Sequence, residues 1–130
     1  MAGGRGVRMQ PYTKIFPKPL LPMGDDTVID LIVSKFLRYR FNNFYVTTNY
    51  KHSVINNHFK KYKTKINCKI IKENKKLGTA GSLSYLKNSK EELFFVSNCD
   101  SVVSEDYNNI LNFHTNNNND ITIVASKKSI

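Results

Sequence analysis

Apolar residues in this chain of 130 residues form short runs that are separated by segments of helical periodicity. Four runs, at positions 44–48, 66–71, 93–96 and 121–125, are rich in β-branched and aromatic residues. Runs of this length and composition are typical of strands buried within a parallel sheet. The pattern therefore predicts four strands.

Apolar residues recur at helical spacing between these runs, at positions 27–39, 53–59, 79–86 and 105–114. Thr27 and Asp30 have the spacing of a capping box at the start of the first helix, with Asp in place of the usual Glu. Ser104 is the expected N-cap of the last helix. Strands that alternate with helices predict an α/β fold, with a doubly wound, Rossmann-like, mainly parallel sheet and helices on both faces.

Composition narrows the class of protein. The formal net charge of +10 favours anionic partners such as nucleotides, phosphorylated metabolites or nucleic acid, although so many lysines also serve solubility. Two separated cysteines, Cys68 and Cys99, make neither a disulfide framework nor a zinc site, and we expect reduced thiols in a cytoplasmic protein. No apolar run approaches the roughly 18–20 residues that span a membrane.

A glycine-rich basic turn, Gly3-Gly4-Arg5-Gly6-Val7-Arg8-Met9, stands near the start of the sequence. Glycines permit a tight turn whose N–H groups meet one anion, and guanidinium groups bind phosphate oxygens. A flexible terminus would have a similar composition. Because a phosphate loop normally follows a strand and only two residues precede this one, we expect residues 1–130 to form a single, incomplete domain, cut at both ends.

The segment Phe16-Pro17-Lys18-Pro19-Leu20-Leu21-Pro22 is stiffened by its prolines, which exclude a regular helix. Lys18 lies between two of them, so its backbone has little freedom. A fixed backbone can direct a cation toward a phosphate. Taken alone, the segment is equally typical of a proline-rich connector with a solvated lysine.

Two further motifs follow predicted strands. Asp100, in Ser97-Asn98-Cys99-Asp100, comes after the run at 93–96, and the carboxyl edge of an α/β sheet is where such folds bind ligands. A carboxylate there can hold Mg²⁺ against phosphate oxygens, or can cap the next turn. The second motif begins at Glu73 and contains Leu77-Gly78-Thr79-Ala80-Gly81, whose small residues permit close approach of a ligand or of the sheet.

These motifs, in this order, resemble those of the sugar-1-phosphate nucleotidyltransferase family. The resemblance covers the chain from Met1 to about His114 and comprises Gly-Gly-x-Gly-x-Arg-Met, Pro-Lys-Pro-Leu-Leu-Pro-x-Gly, Leu-Gly-Thr-Ala-Gly and Asn-x-Asp. It implies an enzyme of nucleotide-sugar and polysaccharide biosynthesis. Such an enzyme transfers a nucleoside monophosphate from a nucleoside triphosphate to a sugar 1-phosphate and releases pyrophosphate.

The resemblance also implies roles for individual residues. Arg8 and Lys18 would be the catalytic cations that contact the phosphates, and Asp100 would bind Mg²⁺, the expected cofactor. The implied nucleotide-binding residues are Ala2, Gly3, Gly4, Gly6, Glu73, Gly78 and Thr79. The nucleophile is already an anion, so the cations chiefly reduce the repulsion between two polyanions and stabilise the transition state.

Three departures from the family pattern stand out. The strand that normally precedes the glycine loop is absent, which would leave an exposed sheet edge and an apolar gap. Arg40 occupies a position that is usually glycine in the family. If the helix ends there in the left-handed conformation, a residue other than glycine is strained by about 1 kcal/mol. The family's sugar pocket and second metal-binding carboxylate would lie beyond residue 130, so the chain is expected to bind a nucleotide without necessarily turning over.

Alternative functions stay open at this stage. Similar loops serve transferases of phosphocholine and other phosphorylated alcohols, and the domain could also bind nucleotides without catalysis. Nucleic-acid binding is a third possibility, because aromatic residues at positions 59 and 62 interleave with the lysines between positions 60 and 76. We expect neither a nucleic-acid nor a membrane partner. The base, the sugar and the oligomeric state, including a homo-oligomer, are open.

Overall fold

The computed structural model of the chain describes residues 1–2, 4, 11–62, 64–75, 77–78 and 80–127. Its helices are α1 (Tyr12–Ile15), α2 (Val28–Arg38), α3 (His52–Phe59) and α4 (Tyr107–Asn116). Its strands are β1 (Pro22–Met23), β2 (Asp26–Thr27), β3 (Asn43–Thr48) and β4 (Asn67–Lys72). Short 3-10 helices lie at Lys18–Leu20, Lys60–Tyr62 and Gly81–Leu86.

The centre of the fold is the unit formed by β3, α3 and β4. The two strands are parallel and in register from the Asn43–Asn67 pair to the Thr48–Lys72 pair, and α3 makes the crossover between them. The predictions at positions 44–48, 66–71 and 53–59 are therefore confirmed to within a residue or so. Polar loop residues follow the carboxyl ends of β3 and β4, and ligand sites of α/β sheets lie at such ends.

The ends of α2 are fixed by local hydrogen bonds. Thr27 and Asp30 form the predicted capping box, with reciprocal contacts of 3.4 Å. At the other end, Arg40 has φ +64°. The N–H groups of Arg40 and Phe41 donate to the carbonyls of Leu37 (2.9 Å) and Phe36 (3.1 Å), which makes a Schellman motif. Arg40 thus adopts the left-handed conformation predicted from the sequence.

Two clusters of buried residues hold the helices against the sheet. The larger cluster joins β3 to α2, α3 and the segment before β4, and it contains Ala2, Leu20, Ile29, Val33, Val46, Ile55, Phe59, Tyr62, Ile66 and Cys99. The smaller cluster packs Phe36 against Tyr107 of α4, at 4.5 Å between ring centroids, and against Phe95, at 5.7 Å. The residues around Phe95 are therefore anchored by aromatic packing.

Two predicted strands are wrong, because residues 93–96 and 121–125 lie in neither described sheet. A run of β-forming residues becomes a strand only beside a hydrogen-bonded neighbour. Near the first run, the Ala2 N–H donates to the Thr47 carbonyl (2.8 Å) and the Met1 amino group donates to the Ser97 carbonyl (2.8 Å). This short stretch lies between β3 and the run, whose side chains at Leu93, Phe94 and Val96 are exposed.

Two predicted helices differ in detail. The last helix begins after Asp106, whose side chain accepts from the Asn108 N–H (2.7 Å), so Ser104 is not its N-cap. Asp and Ser have similar preferences for the N-cap position, and here the aspartate lies directly before the first turn. The segment predicted as a helix at 79–86 forms the 3-10 helix Gly81–Leu86 instead.

The observed strands support an α/β fold without establishing its full topology. Within the described residues, β3 pairs in parallel with β4, and β1 pairs with β2 in an antiparallel hairpin. Val46 packs with α2 and α3, whereas Tyr45, on the opposite face of β3, is exposed. The doubly wound sheet with helices on both faces stays a prediction. No described helix has the length and apolar character needed to cross a membrane.

Candidate active site

Lys18 is held on a rigid backbone. Its neighbours Pro17 and Pro19 are both fully buried, and the N–H groups of Leu20 and Leu21 donate to the carbonyls of Pro17 (2.8 Å) and Lys18 (3.2 Å). The segment forms a single 3-10 turn. The Lys18 side chain leaves this turn with its backbone fixed, as the spacing of the prolines predicts.

The Lys18 ammonium forms an ion pair with the Asp100 carboxylate. The two residues are 82 positions apart in sequence, and their side chains are 29% and 38% exposed. The hydrogen bond from Lys18 holds the pKa of Asp100 below its ordinary value, against the opposing effect of burial. Two predicted site residues of opposite charge are therefore brought together at a solvent-accessible position.

The Met1 amino group interacts electrostatically with two predicted site residues, Glu73 and Asp100. Burial lowers the pKa of the Met1 amino group, while Cys99, Glu73 and Asp100 each act to raise it through their charge. The Met1 amino group is thus within electrostatic reach of both carboxylates. Ala2, predicted to contact the nucleotide, is buried beside β3.

Glu73 itself is buried, with 8% of its surface exposed. Its N–H donates to the Thr48 carbonyl (2.7 Å), and the Asn49 side-chain amide donates to the Glu73 carbonyl (2.9 Å). Among the described residues, no group donates a hydrogen bond to its carboxylate. The backbone of this predicted nucleotide-binding residue is therefore fixed.

The glycines of the candidate site are partly described. Gly78 has φ +77° and is exposed, and no atom lies within 4 Å of the position a Cβ would take. Gly4 is exposed with the same free space around it. The other predicted residues of these loops, Gly3, Gly6, Arg8 and Thr79, lie outside the described residues, and their roles stay predictions.

Two polar residues that the motifs did not indicate contribute to the same edge. Asn49, directly after β3, binds the backbone of Glu73 as described above. Lys51 donates to the carbonyls of Lys14 (2.6 Å) and Ile15 and so ties the end of α1 to the β3–α3 loop. Their position after a parallel strand is the signal that could have identified them.

The donor set at this edge suits Mg²⁺. Mg²⁺ is bound through oxygen atoms, commonly by one or two carboxylates together with waters and substrate phosphates. Asp100 offers a partly exposed carboxylate of this kind, and its Oδ2 contacts Lys18. The part of the chain that is described contains no group of three or more His, Cys, Asp or Glu side chains able to hold a metal ion without substrate.

Burial disfavours two other functions, which are thiol chemistry at Cys99 and nucleic-acid binding by the lysine-rich stretch between positions 60 and 76. Cys99 is buried, and burial raises the pKa of its thiol, which disfavours the reactive thiolate. Phe59 and Tyr62 are buried in the core and are not available to stack on nucleic-acid bases. Lys61 is engaged by Asp30 (2.8 Å). The alternation of aromatic residues with lysines in this stretch is thus explained by the packing of Phe59 and Tyr62 in the core.

Comparison with known proteins identifies the family. The nucleotidyl transferase family model matches residues 1–129. A mannose-1-phosphate guanyltransferase of Yarrowia lipolytica is 32% identical, over 98% of this chain and 36% of the relative. The bifunctional protein GlmU of Methanococcus aeolicus is 33% identical, over 86% of this chain and 26% of the relative. Mannose-1-phosphate guanylyltransferase 1 of Arabidopsis thaliana is 30% identical, over 98% and 37%.

The chain therefore belongs to the nucleotidyl transferase family, and the resemblance to sugar-1-phosphate nucleotidyltransferases drawn from its motifs is confirmed. It spans about a third of the length of the curated relatives it matches.

Proposed function

We propose that the protein containing this chain transfers a nucleoside monophosphate from a nucleoside triphosphate to a sugar 1-phosphate and releases pyrophosphate. The observation that supports this most directly is the Lys18–Asp100 pair. A cation on a proline-fixed turn and a carboxylate suited to Mg²⁺ meet in a chain of the nucleotidyl transferase family. These are the groups that phosphoryl chemistry between two anions requires.

In this mechanism the sugar phosphate oxygen attacks the α-phosphorus in line, and pyrophosphate leaves. Lys18 neutralises charge on the α-phosphate as it develops, and its fixed backbone limits the entropy lost in positioning it. Asp100 would hold Mg²⁺, which supplies charge neutralisation on the phosphate oxygens. The incoming oxygen is already anionic, so the mechanism assigns no general base.

The ion pair between Lys18 and Asp100 is, on this proposal, the arrangement before substrate binds. One ammonium cannot remain fully paired with Asp100 and also stabilise a phosphate. Lys18 therefore leaves Asp100 when it contacts the nucleotide, and Asp100 becomes available to its metal. Because the pair is partly exposed, its opening costs little, on the order of 1 kcal/mol or less.

The relatives indicate which substrates to test first. Proteins named as mannose-1-phosphate guanylyltransferases match almost the whole chain. We therefore propose GTP and mannose 1-phosphate as the first donor and acceptor, with other nucleotides and hexose 1-phosphates as comparisons. Phosphocholine tests the alternative acceptor class that the sequence left open.

Pyrophosphate release by the full-length protein that contains this chain, and by its Lys18→Met variant, tests the proposal. Release should depend on a sugar 1-phosphate, and Lys18→Met should lower its rate by about 10²–10³-fold. Lys90→Met, a substitution of an exposed lysine away from the site, is the matched control and should leave the rate unchanged. Nucleotide binding without release would assign a non-catalytic binding module, and release with phosphocholine alone would assign the other acceptor class.

A further inference from the structure

Lys51 has an unusual backbone conformation for its place in the fold. Within the part of the chain that is described, three residues other than glycine have positive φ. Two of them, Arg40 and Asn118, follow the ends of helices, where the left-handed conformation is common. Lys51, with φ +52° and ψ +40°, instead precedes α3 as its N-cap, and its side chain makes no capping hydrogen bond. Strained residues persist where the surrounding contacts hold them, often beside functional sites.

The Lys51 side chain contacts α1. Its ammonium donates to the carbonyls of Lys14 (2.6 Å) and Ile15, the last two residues of that helix, and the last carbonyls of a helix lack partners within it. The neighbouring Tyr50 hydroxyl reaches the Thr13 carbonyl at 3.5 Å, and the Tyr50 ring centroid lies 5.4 Å from the Lys51 ammonium. Two consecutive residues of the β3–α3 loop therefore hold three consecutive carbonyls at the end of α1.

These carbonyls lie close to Lys18 along the chain. Only two residues, Phe16 and Pro17, follow Ile15 before the proposed catalytic lysine. The Phe16 N–H donates to the Tyr12 carbonyl (3.0 Å), and Pro17 is fully buried. The proline ring also fixes a backbone torsion, so little freedom remains between Ile15 and Lys18. A movement of the chain at Ile15 would therefore displace the backbone of Lys18.

We propose that Lys51 is a positioning residue that aligns Lys18 with the α-phosphate of the nucleotide. Its ammonium fixes the carbonyls of Lys14 and Ile15, and through them the backbone that carries Lys18. This inference rests on the proposed nucleotidyltransferase function. A displacement of about 1 Å at a catalytic group can cost about 10²-fold in rate. Because Lys18 acts on charge that develops in the transition state, the loss of these hydrogen bonds should lower kcat rather than raise KM.

Steady-state release of pyrophosphate by the full-length protein that contains this chain tests the assignment. Lys51→Met should lower kcat by about 10- to 100-fold and change KM for the nucleotide by less than about 3-fold. Lys51→Arg keeps donors for both carbonyls and should retain kcat within about 3-fold of the wild type. Lys90→Met, which alters an exposed lysine, is the matched control and should leave both constants unchanged.

Two further variants separate positioning from a purely structural role. Lys51→Gly removes the ammonium and also relieves the left-handed backbone, because glycine adopts positive φ without steric cost. This variant should unfold at a urea concentration no lower than the wild type does, and should still lose kcat as Lys51→Met does. The double variant Lys18→Met/Lys51→Met should turn over at the rate of Lys18→Met alone, because Lys51 acts through Lys18.

Three results would overturn the assignment while wild-type turnover leaves the proposed function intact. They are an unchanged kcat in Lys51→Met, a loss that Lys51→Arg does not restore, and a double variant slower than Lys18→Met by about 10-fold or more. If the wild-type protein releases no pyrophosphate with any sugar 1-phosphate, the proposed function fails, and this inference fails with it.

Discussion

Two aspartates pair with lysines in this protein, and their surroundings differ. Asp30 is buried, with 3% of its surface exposed. Its carboxylate accepts from the Tyr62 hydroxyl (2.6 Å) and the Lys61 ammonium (2.8 Å) and lies 2.7 Å from His58 Nε2. It also caps α2 through Thr27. Every side of this carboxylate is occupied by protein.

Asp100, by contrast, is partly exposed and contacts the lysine of a neighbouring turn. Its pair with Lys18 crosses from one loop to another rather than fastening a helix to the core. The comparison teaches that a satisfied, buried carboxylate stabilises the fold, whereas a partly exposed carboxylate on a loop can exchange its partner for a ligand. The surroundings, not the ion pairs themselves, assign the two roles.

Removing the buried carboxylate should have the largest effect. Asp30→Ala leaves the groups of His58, Lys61 and Tyr62 without their acceptor and removes half of the capping box. We expect a loss of about 3 kcal/mol or more in the free energy of unfolding, measured by urea denaturation. A loss below about 1 kcal/mol would contradict the inference that the hydrogen bonds to Asp30 stabilise the fold.

The same cluster predicts how stability depends on pH. Burial alone would raise the pKa of Asp30, but the hydrogen bonds from Lys61, Tyr62 and His58 outweigh it and hold that pKa well below its usual range. The stabilisation is therefore complete above the unfolded-state pKa, near 3.9, and is lost as pH falls below it.

Urea denaturation of the wild-type chain and Asp30→Asn from about pH 6 to pH 3 measures this dependence. The advantage of the wild type should be largest at the upper end of the range and should shrink on acidification. An advantage that stayed constant across the range would contradict the ionised, hydrogen-bonded state of Asp30.

A smaller effect is expected at the other end of α2. Arg40 is exposed and has φ +64°, a conformation that suits glycine. Arg40→Gly should therefore stabilise the chain by about 1 kcal/mol, whereas Arg38→Gly, inside the last helical turn, should destabilise it by a similar amount. Thermal or urea unfolding of both variants separates the two outcomes. Destabilisation by Arg40→Gly would show that contacts of the arginine side chain outweigh the backbone strain.

Local sequence signals predicted the parts of the fold that depend on neighbours in sequence. The Thr27–Asp30 box and the left-handed Arg40 are of this kind, since each is set within a few residues. Residues 93–96 were mispredicted because a strand requires a partner that a single run cannot reveal. The prediction of Ser104 as an N-cap is wrong because Asp106 holds that position, and local sequence separates the two poorly since Ser and Asp have nearly equal capping preference.

In the candidate site, the sequence likewise predicted individual residues but not the contacts between them. The motifs indicated Lys18, Glu73 and Asp100 individually. Composition and spacing did not predict that Lys18 and Asp100 touch, since 82 residues separate them. The part played by Asn49 at the backbone of Glu73 was also missed, because a lone asparagine after a strand is a weak signal in the sequence.

Nucleotide titration by calorimetry, with and without Mg²⁺, for the wild-type chain and Asp100→Asn tests the central claim most directly. We predict that Mg²⁺ strengthens binding to the wild type. Asp100→Asn should lose this dependence, bind nucleotide at least as well without Mg²⁺ because Lys18 is released, and change the unfolding free energy by less than about 1 kcal/mol. A folded chain that binds no nucleotide, or an Asp100→Asn variant with the full Mg²⁺ dependence, would contradict the account.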